Sequence, residues 1–99
     1  MPAKPLARDQ VVFRHTNAHK GRHISVTPAN SATRHLSYGR IRLDAEVPGV
    51  SFAAGAEEVG LVCLQGFATV VVEGQAFDVG RYDAVYVPRD SQVEVRTST

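Results

Sequence analysis

Several features are scarce in this 99-residue chain, and each scarcity excludes a class of protein. There is one cysteine and no tryptophan. A single cysteine excludes an internal disulfide and suits a reducing cytoplasm. The first ten residues contain no apolar segment of the kind found in a signal peptide, and no apolar run approaches the length that crosses a membrane. We therefore expect one soluble, cytoplasmic domain of ordinary globular composition.

Sustained helical periodicity is also lacking, whereas short strand-like runs are frequent. They are rich in β-branched residues and end at Gly or Pro every seven to ten residues, a pattern typical of antiparallel sandwiches and barrels. The central runs are 58–64, 67–73, 76–79 and 84–87, followed by 92–96. Upstream, we predict strands at 23–26, 36–43 and 50–53, with Gly39 as a bulge or bend. Glu73-Gly74 is predicted to be a tight hairpin turn.

The two halves of the chain differ in charge. Residues 1–50 hold eight Lys or Arg against three Asp or Glu, and all four histidines, whereas residues 51–99 hold three against seven. Basic arms often bind nucleic acid, but these basic residues are scattered and lack interleaved aromatic platforms. We expect instead an extended arm over residues 1–22 that packs on an acidic surface, such as another subunit, and a β-barrel over residues 23–99.

Four groups of residues are candidates for chemistry, and each has a simpler interpretation. His15, His19 and His23 have the four-residue spacing of metal ligands on a helix, but Gly21 interrupts any such helix, and solvated histidines on an arm fit better. Cys63 is a candidate nucleophile, yet its apolar neighbours favour a buried, inert thiol.

The remaining candidates are charged residues next to strands. At most one side chain of Glu57-Glu58 can point into a barrel, because neighbours on a strand face opposite ways. Glu58 is therefore the candidate general base or metal ligand at the barrel mouth, although a solvated or ion-paired carboxylate is the simpler interpretation. Arg81 and Asp83 fit a structural ion pair better than a pair of substrate contacts.

The two faces of the central strand at 58–64 predict a partner. In the run 58–64, Val59, Leu61 and Cys63 fall on one face and Val62 and Leu64 on the other, so both faces are apolar. A strand covered on both sides requires a second sheet or another subunit. The last strand differs, since Val93 and Val95 alternate with polar residues and are expected to point into the core.

Three segments carry a resemblance to a known family: EVGLVCLQG from Glu58, the hairpin ATVVVEGQAF, and GRYDAVYVP from Gly80. They resemble a cupin, and specifically the amino-terminal cupin half of the uronate isomerases that act on 5-deoxy-glucuronate or 5-dehydro-4-deoxy-glucuronate. GRHISVTPANSA, from Gly21, is similar to the start of the enzyme of inositol breakdown. The resemblance implies a cupin-like antiparallel β-barrel, or jelly roll.

The resemblance also implies a chemistry and its location. Family members interconvert an aldose-type uronate and its ketose with a divalent metal, usually zinc, which polarises the reacting oxygens. That metal is expected in the carboxy-terminal cupin. A metal-binding cupin carries His-x-His about four residues before a glutamate, whereas no histidine precedes Glu58 in residues 51–57, and none lies near Val93.

By resemblance, this chain is therefore the non-catalytic amino-terminal half of an isomerase, with no catalytic residue, cofactor or metal ligand of its own. We expect it to form a homo-oligomer or to pair with a missing carboxy-terminal cupin, and not to bind nucleic acid or membrane. The alternative is a metal-free cupin that binds a small acid or sugar, or that serves in assembly.

Overall fold

The computed structural model describes residues 7–97 and is nearly all β within that range. One helical turn, α1 (Arg8–Val11), precedes eight strands. The strands are β1 (Gly21–Val26), β2 (Tyr38–Arg42), β3 (Gly49–Ala53), β4 (Val59–Val62), β5 (Ala68–Val72), β6 (Gln75–Val79), β7 (Ala84–Val87) and β8 (Gln92–Thr97). All pairings are antiparallel. The all-β, cupin-like fold class is thus confirmed.

The chain divides into two compact units, with the boundary after Arg42. In the first unit, β1 and β2 pair, and the register shifts between Ile24 and Val26. Gly39 lies opposite Ile24, so an irregularity lies next to Gly39, but its extra residue belongs to β1 and not, as predicted, to the strand that contains Gly39. The Ala32 N–H donates to the Gln10 carbonyl at 2.9 Å and thereby ties the segment around α1 to the loop after β1.

The second unit contains two sheets. The four-stranded sheet has the order β3-β8-β5-β6, and the two-stranded sheet joins β4 to β7. Within residues 43–97, the buried apolar side chains are those of Ala54, Val70, Val87, Val93 and Val95, and Val87 is fully buried. Both sheets contribute to this core. The prediction that Val93 and Val95 point inward is confirmed.

The β5–β6 hairpin turns as predicted. Val72 pairs with Gln75, which leaves Glu73 and Gly74 as a two-residue loop. Their φ angles are 48° and 80°, and positive φ at both positions is the geometry of the type I′ turn that suits twisted hairpins. The Glu73 carboxylate also accepts a hydrogen bond from the Gln92 N–H at 2.5 Å, which fastens the turn to β8.

Two other predictions have a mixed or open outcome. Val62 is 58% and Leu64 49% exposed, so among residues 7–97 no second sheet covers that face of β4. Cover by another subunit stays a prediction.

The predicted bounds of the arm and the barrel are not tested. Residues 1–6 of the predicted arm and residues 98–99 of the predicted barrel lie outside the described residues, and the division at residues 22 and 23 also stays a prediction. No helix in residues 7–97 is long and apolar enough to span a membrane.

Candidate functional site

An open groove of about 700 Å³ lies between β6 and β7 in the second unit. Phe77 and Val79 line it from β6, and Val85 and Tyr86 from β7. The groove exists because these two strands belong to different sheets and do not pair with each other. Its walls are largely apolar, as is usual for a small-molecule site.

The charged groups in the groove are all carboxylates, and each already has a hydrogen-bond partner. Asp78 accepts from the Thr69 hydroxyl at 2.9 Å, and Asp83 accepts from the Gly80 N–H at 2.9 Å. Glu73 is the third, with its bond to the Gln92 N–H. No Lys or Arg is among the lining residues. A uronate carries a carboxylate of its own, so this groove would repel the substrate class that the family resemblance implies.

Glu58 lies outside the barrel. It is exposed, and its Oε1 accepts a hydrogen bond from Tyr86 Oη at 2.5 Å. Tyr86 lies opposite Gly60 in the β4–β7 ladder and is 63% exposed. Residues opposite each other share a face, and so do residues two apart on one strand. Glu58, Gly60 and Tyr86 therefore share the outer, exposed face of this sheet.

This hydrogen bond has an electrostatic consequence. It raises the pKa of the Tyr86 phenol above the ordinary value of 10.0, because the carboxylate stabilises the protonated phenol. The negative charge of Glu58 acts in the same direction, and Arg89 opposes it. Tyr86 is thus a hydrogen-bond donor at neutral pH and not a base. A neutral phenol paired with a solvated carboxylate fits a structural cross-strand contact.

The three spaced histidines do not lie on a helix. His15 has a φ of 56° and begins a turn in which its carbonyl accepts from the Ala18 N–H at 3.1 Å. The rings of His19 and His23 stack with centroids 3.9 Å apart. Within residues 7–97, no three His, Cys, Asp or Glu side chains are grouped as ligands of a metal ion.

Cys63 is half-buried instead of buried. Its thiol donates to the carbonyl of Gly66 at 3.4 Å, with the Gln65 carbonyl at 3.7 Å. These contacts fix the side chain against the turn that follows β4.

Arg81 and Asp83 have different partners, so the ion pair predicted between them is wrong. The Arg81 guanidinium lies 4.9 Å from the centre of the Tyr82 ring, which is a cation–π geometry. The Asp83 carboxylate caps the Gly80 N–H in the loop before β7. Both side chains therefore stabilise this loop.

The residues of the second unit do not fit a divalent metal in the barrel. Residues 43–99 contain no histidine, and the buried side chains contributed by β5, β7 and β8 are valines. Zinc and similar ions require imidazole, thiolate or carboxylate ligands. An interior of valine side chains supplies none of these ligands.

Sequence reasoning missed Tyr86 as the partner of Glu58. The two residues are 28 positions apart, and no local pattern reports the register that joins β4 to β7. A sequence signal exists only in the alternation of β7, which places Tyr86 on the opposite face from Val85 and Val87.

Comparison with known proteins gives a consistent assignment. The model of the KduI/IolB family matches residues 11–99. A 4-deoxy-L-threo-5-hexosulose-uronate ketol-isomerase of Enterobacter sp. (strain 638) is 38% identical over 50 residues. That alignment covers 50% of this chain and 18% of the relative, so the matched part is a small fraction of the longer protein. No solved structure matches significantly.

Proposed function

The chain belongs to the KduI/IolB family, and we propose that it serves as the non-catalytic, amino-terminal cupin of a deoxyuronate ketol-isomerase. The observation that carries this proposal is the family match over residues 11–99, combined with the absence of a metal-ligand cluster among residues 7–97. Isomerisation between an aldose and a ketose moves a proton between neighbouring carbons and requires polarised oxygens. This chain lacks a suitable constellation in its described residues, so the chemistry belongs to a second, metal-bearing cupin, whose ion we propose to be zinc.

We assign the substrate to the deoxyuronates, with 5-deoxy-glucuronate of inositol breakdown as the specific choice. The support is the segment from Gly21 to Ala32, which resembles the start of that enzyme. The central block resembles the pectin-pathway relative equally well, so the name of the 38% identical protein does not decide between the two. A cytoplasmic location accompanies this proposal, since a chain with one cysteine has no disulfide to protect from reduction.

The second candidate function is a metal-free cupin that acts in assembly or that binds a small ligand. The exposed outer face of β4 and β7 favours assembly, because exposed apolar surface usually binds a partner. The acidic groove between β6 and β7 disfavours binding of a small acid.

The intact mass of the protein in its source cells tests the proposal. We expect roughly twice the mass of this chain or more, because a second cupin domain would add about 100 residues or more. A native mass equal to that of this chain would contradict the proposed role in an isomerase. The metal-free cupin that acts in assembly would then be the remaining candidate.

A further inference from the structure

The β4 strand has a second edge that no described strand uses. It pairs with β7 alone. The Cys63 N–H donates to the Asp83 carbonyl at 2.9 Å, so the backbone N–H of Cys63 points to the edge of the strand that faces β7. Along an antiparallel strand, successive residues direct their backbone hydrogen bonds to opposite edges. The backbone of Leu61 therefore also forms its hydrogen bonds with β7. The backbone groups of Gly60 and Val62 point away from β7 to the open edge.

This edge lacks most of the features with which proteins prevent strand addition, although β4 is short, with four residues. Protected edges also carry lysine, proline, an inward charge or a bulge. Residues 59–64, VGLVCL, contain no charge and no proline, and β4 pairs with β7 without a register shift. The outer edge of β7, by contrast, is flanked by Asp83 and Pro88. Val62 is 58% exposed, so its side chain is available to a neighbour.

We infer that the open edge of β4 pairs with β4 of a second copy of this chain, antiparallel and across a two-fold axis. The pairing would join the two small sheets into one sheet of order β7-β4-β4-β7. That sheet has four strands, the same number as the sheet β3-β8-β5-β6 in each copy. A two-fold contact of identical strands is self-complementary and closed, as dimer interfaces require.

One symmetric register suits the residues along the edge. In it, Leu61 lies opposite Leu61 of the second copy, and each Val62 lies opposite a Gly60. A side chain added at Gly60 would meet nothing within 4 Å, so this position leaves room for the neighbouring valine. The two Glu58 carboxylates lie at opposite ends of the paired strands, about 20 Å apart, so the register brings no like charges together.

This inference does not rest on the proposed isomerase role, because it follows from the β4 edge alone. It gives the predicted homo-oligomer a specific interface. The intact-mass experiment and the experiment below can therefore fail independently.

The test compares Val62→Lys with Leu36→Lys by sedimentation equilibrium at tens of micromolar. Leu36 is the matched control, since it is an aliphatic residue that is 62% exposed in the first unit. We expect the parent chain and Leu36→Lys to be dimers. Val62→Lys should raise the dimer dissociation constant by up to about 5-fold, because pairing would bring the two lysines onto one face of the joined sheet, about 7–8 Å apart, where like charges repel. A monomeric parent, or a Val62→Lys dimer as tight as the parent, overturns the inference.

Amide hydrogen exchange on the unaltered chain provides a second measurement that requires no variant to fold. We expect the Gly60 and Val62 amides to exchange slowly in the dimer and rapidly after dilution to monomer, while Leu61 stays protected through β7. Fast exchange of Gly60 and Val62 in a dimeric sample would place the interface elsewhere. Slow exchange in a monomer would show that a segment of the same polypeptide covers the edge. Either result overturns the inference.

Discussion

The contact between Glu58 and Tyr86 joins the start of β4 to β7 on an exposed face. Exposed hydrogen bonds of this kind contribute little to stability because water competes for both partners. Its measurable signature is the titration of the phenol. The raised pKa of Tyr86 means that the protonated phenol is favoured in the folded state, so this contribution is present at neutral pH and is lost as the pH rises through the Tyr86 pKa, above 10.0.

An ultraviolet absorbance titration of the tyrosines tests this contact. We expect Glu58→Gln to lower the pKa of Tyr86 towards 10.0, because the substitution removes the carboxylate that favours the protonated phenol. Tyr86→Phe identifies which of the three tyrosines is responsible. The hydrogen bond would be refuted if Glu58→Gln left every tyrosine pKa unchanged.

At the scale of strands and turns, Gly39 lies where β2 packs closely against the backbone of β1. A Cβ at this residue would lie 2.5 Å from Ile24 Cδ1 and 2.6 Å from the His23 carbonyl oxygen. The side chain of Ile24 can rotate away, but the backbone oxygen of His23 cannot move without disturbing the β1–β2 ladder. This requirement for glycine comes from space and not from an unusual φ.

We therefore expect Gly39→Ala to lower the free energy of unfolding by about 1–3 kcal/mol, the usual cost of overpacking. Urea denaturation followed by circular dichroism measures this change. Gly60→Ala, compared at a dilution where the chain is monomeric, is the matched control and should change the free energy by less than about 0.5 kcal/mol, since its Cβ meets nothing within 4 Å in the single chain. Equal effects of the two substitutions would contradict the close approach at Gly39.

Most strands could be predicted from the sequence because Gly and Pro mark their ends. The predicted run 84–87 has the observed bounds, and the predicted run 92–96 is one residue shorter than β8. The short helix α1 has no such signal, since four residues are too few for a periodic pattern. Pairing between distant strands, such as β3 with β8, is set by tertiary packing. Local patterns therefore could not reveal the Glu58–Tyr86 contact or the open edge of β4.

At the scale of the whole molecule, charge and histidine content separate the two units. Residues 1–42 hold eight basic residues against one acidic residue and all four histidines, whereas residues 43–99 hold three basic against nine acidic residues. The second unit is therefore acidic and free of histidine, a poor environment both for a uronate and for an imidazole-bound metal. This chemical argument supports a role in assembly within the isomerase family.

Zinc content and uronate turnover, measured on one sample of the purified chain, test the central claim most directly. The account predicts far less than one zinc per chain and no conversion of a 5-deoxy-glucuronate or 5-dehydro-4-deoxy-glucuronate substrate, even after zinc is added. One bound zinc per chain, together with turnover that a chelator abolishes and zinc restores, would contradict it and would place the catalytic site in these 99 residues.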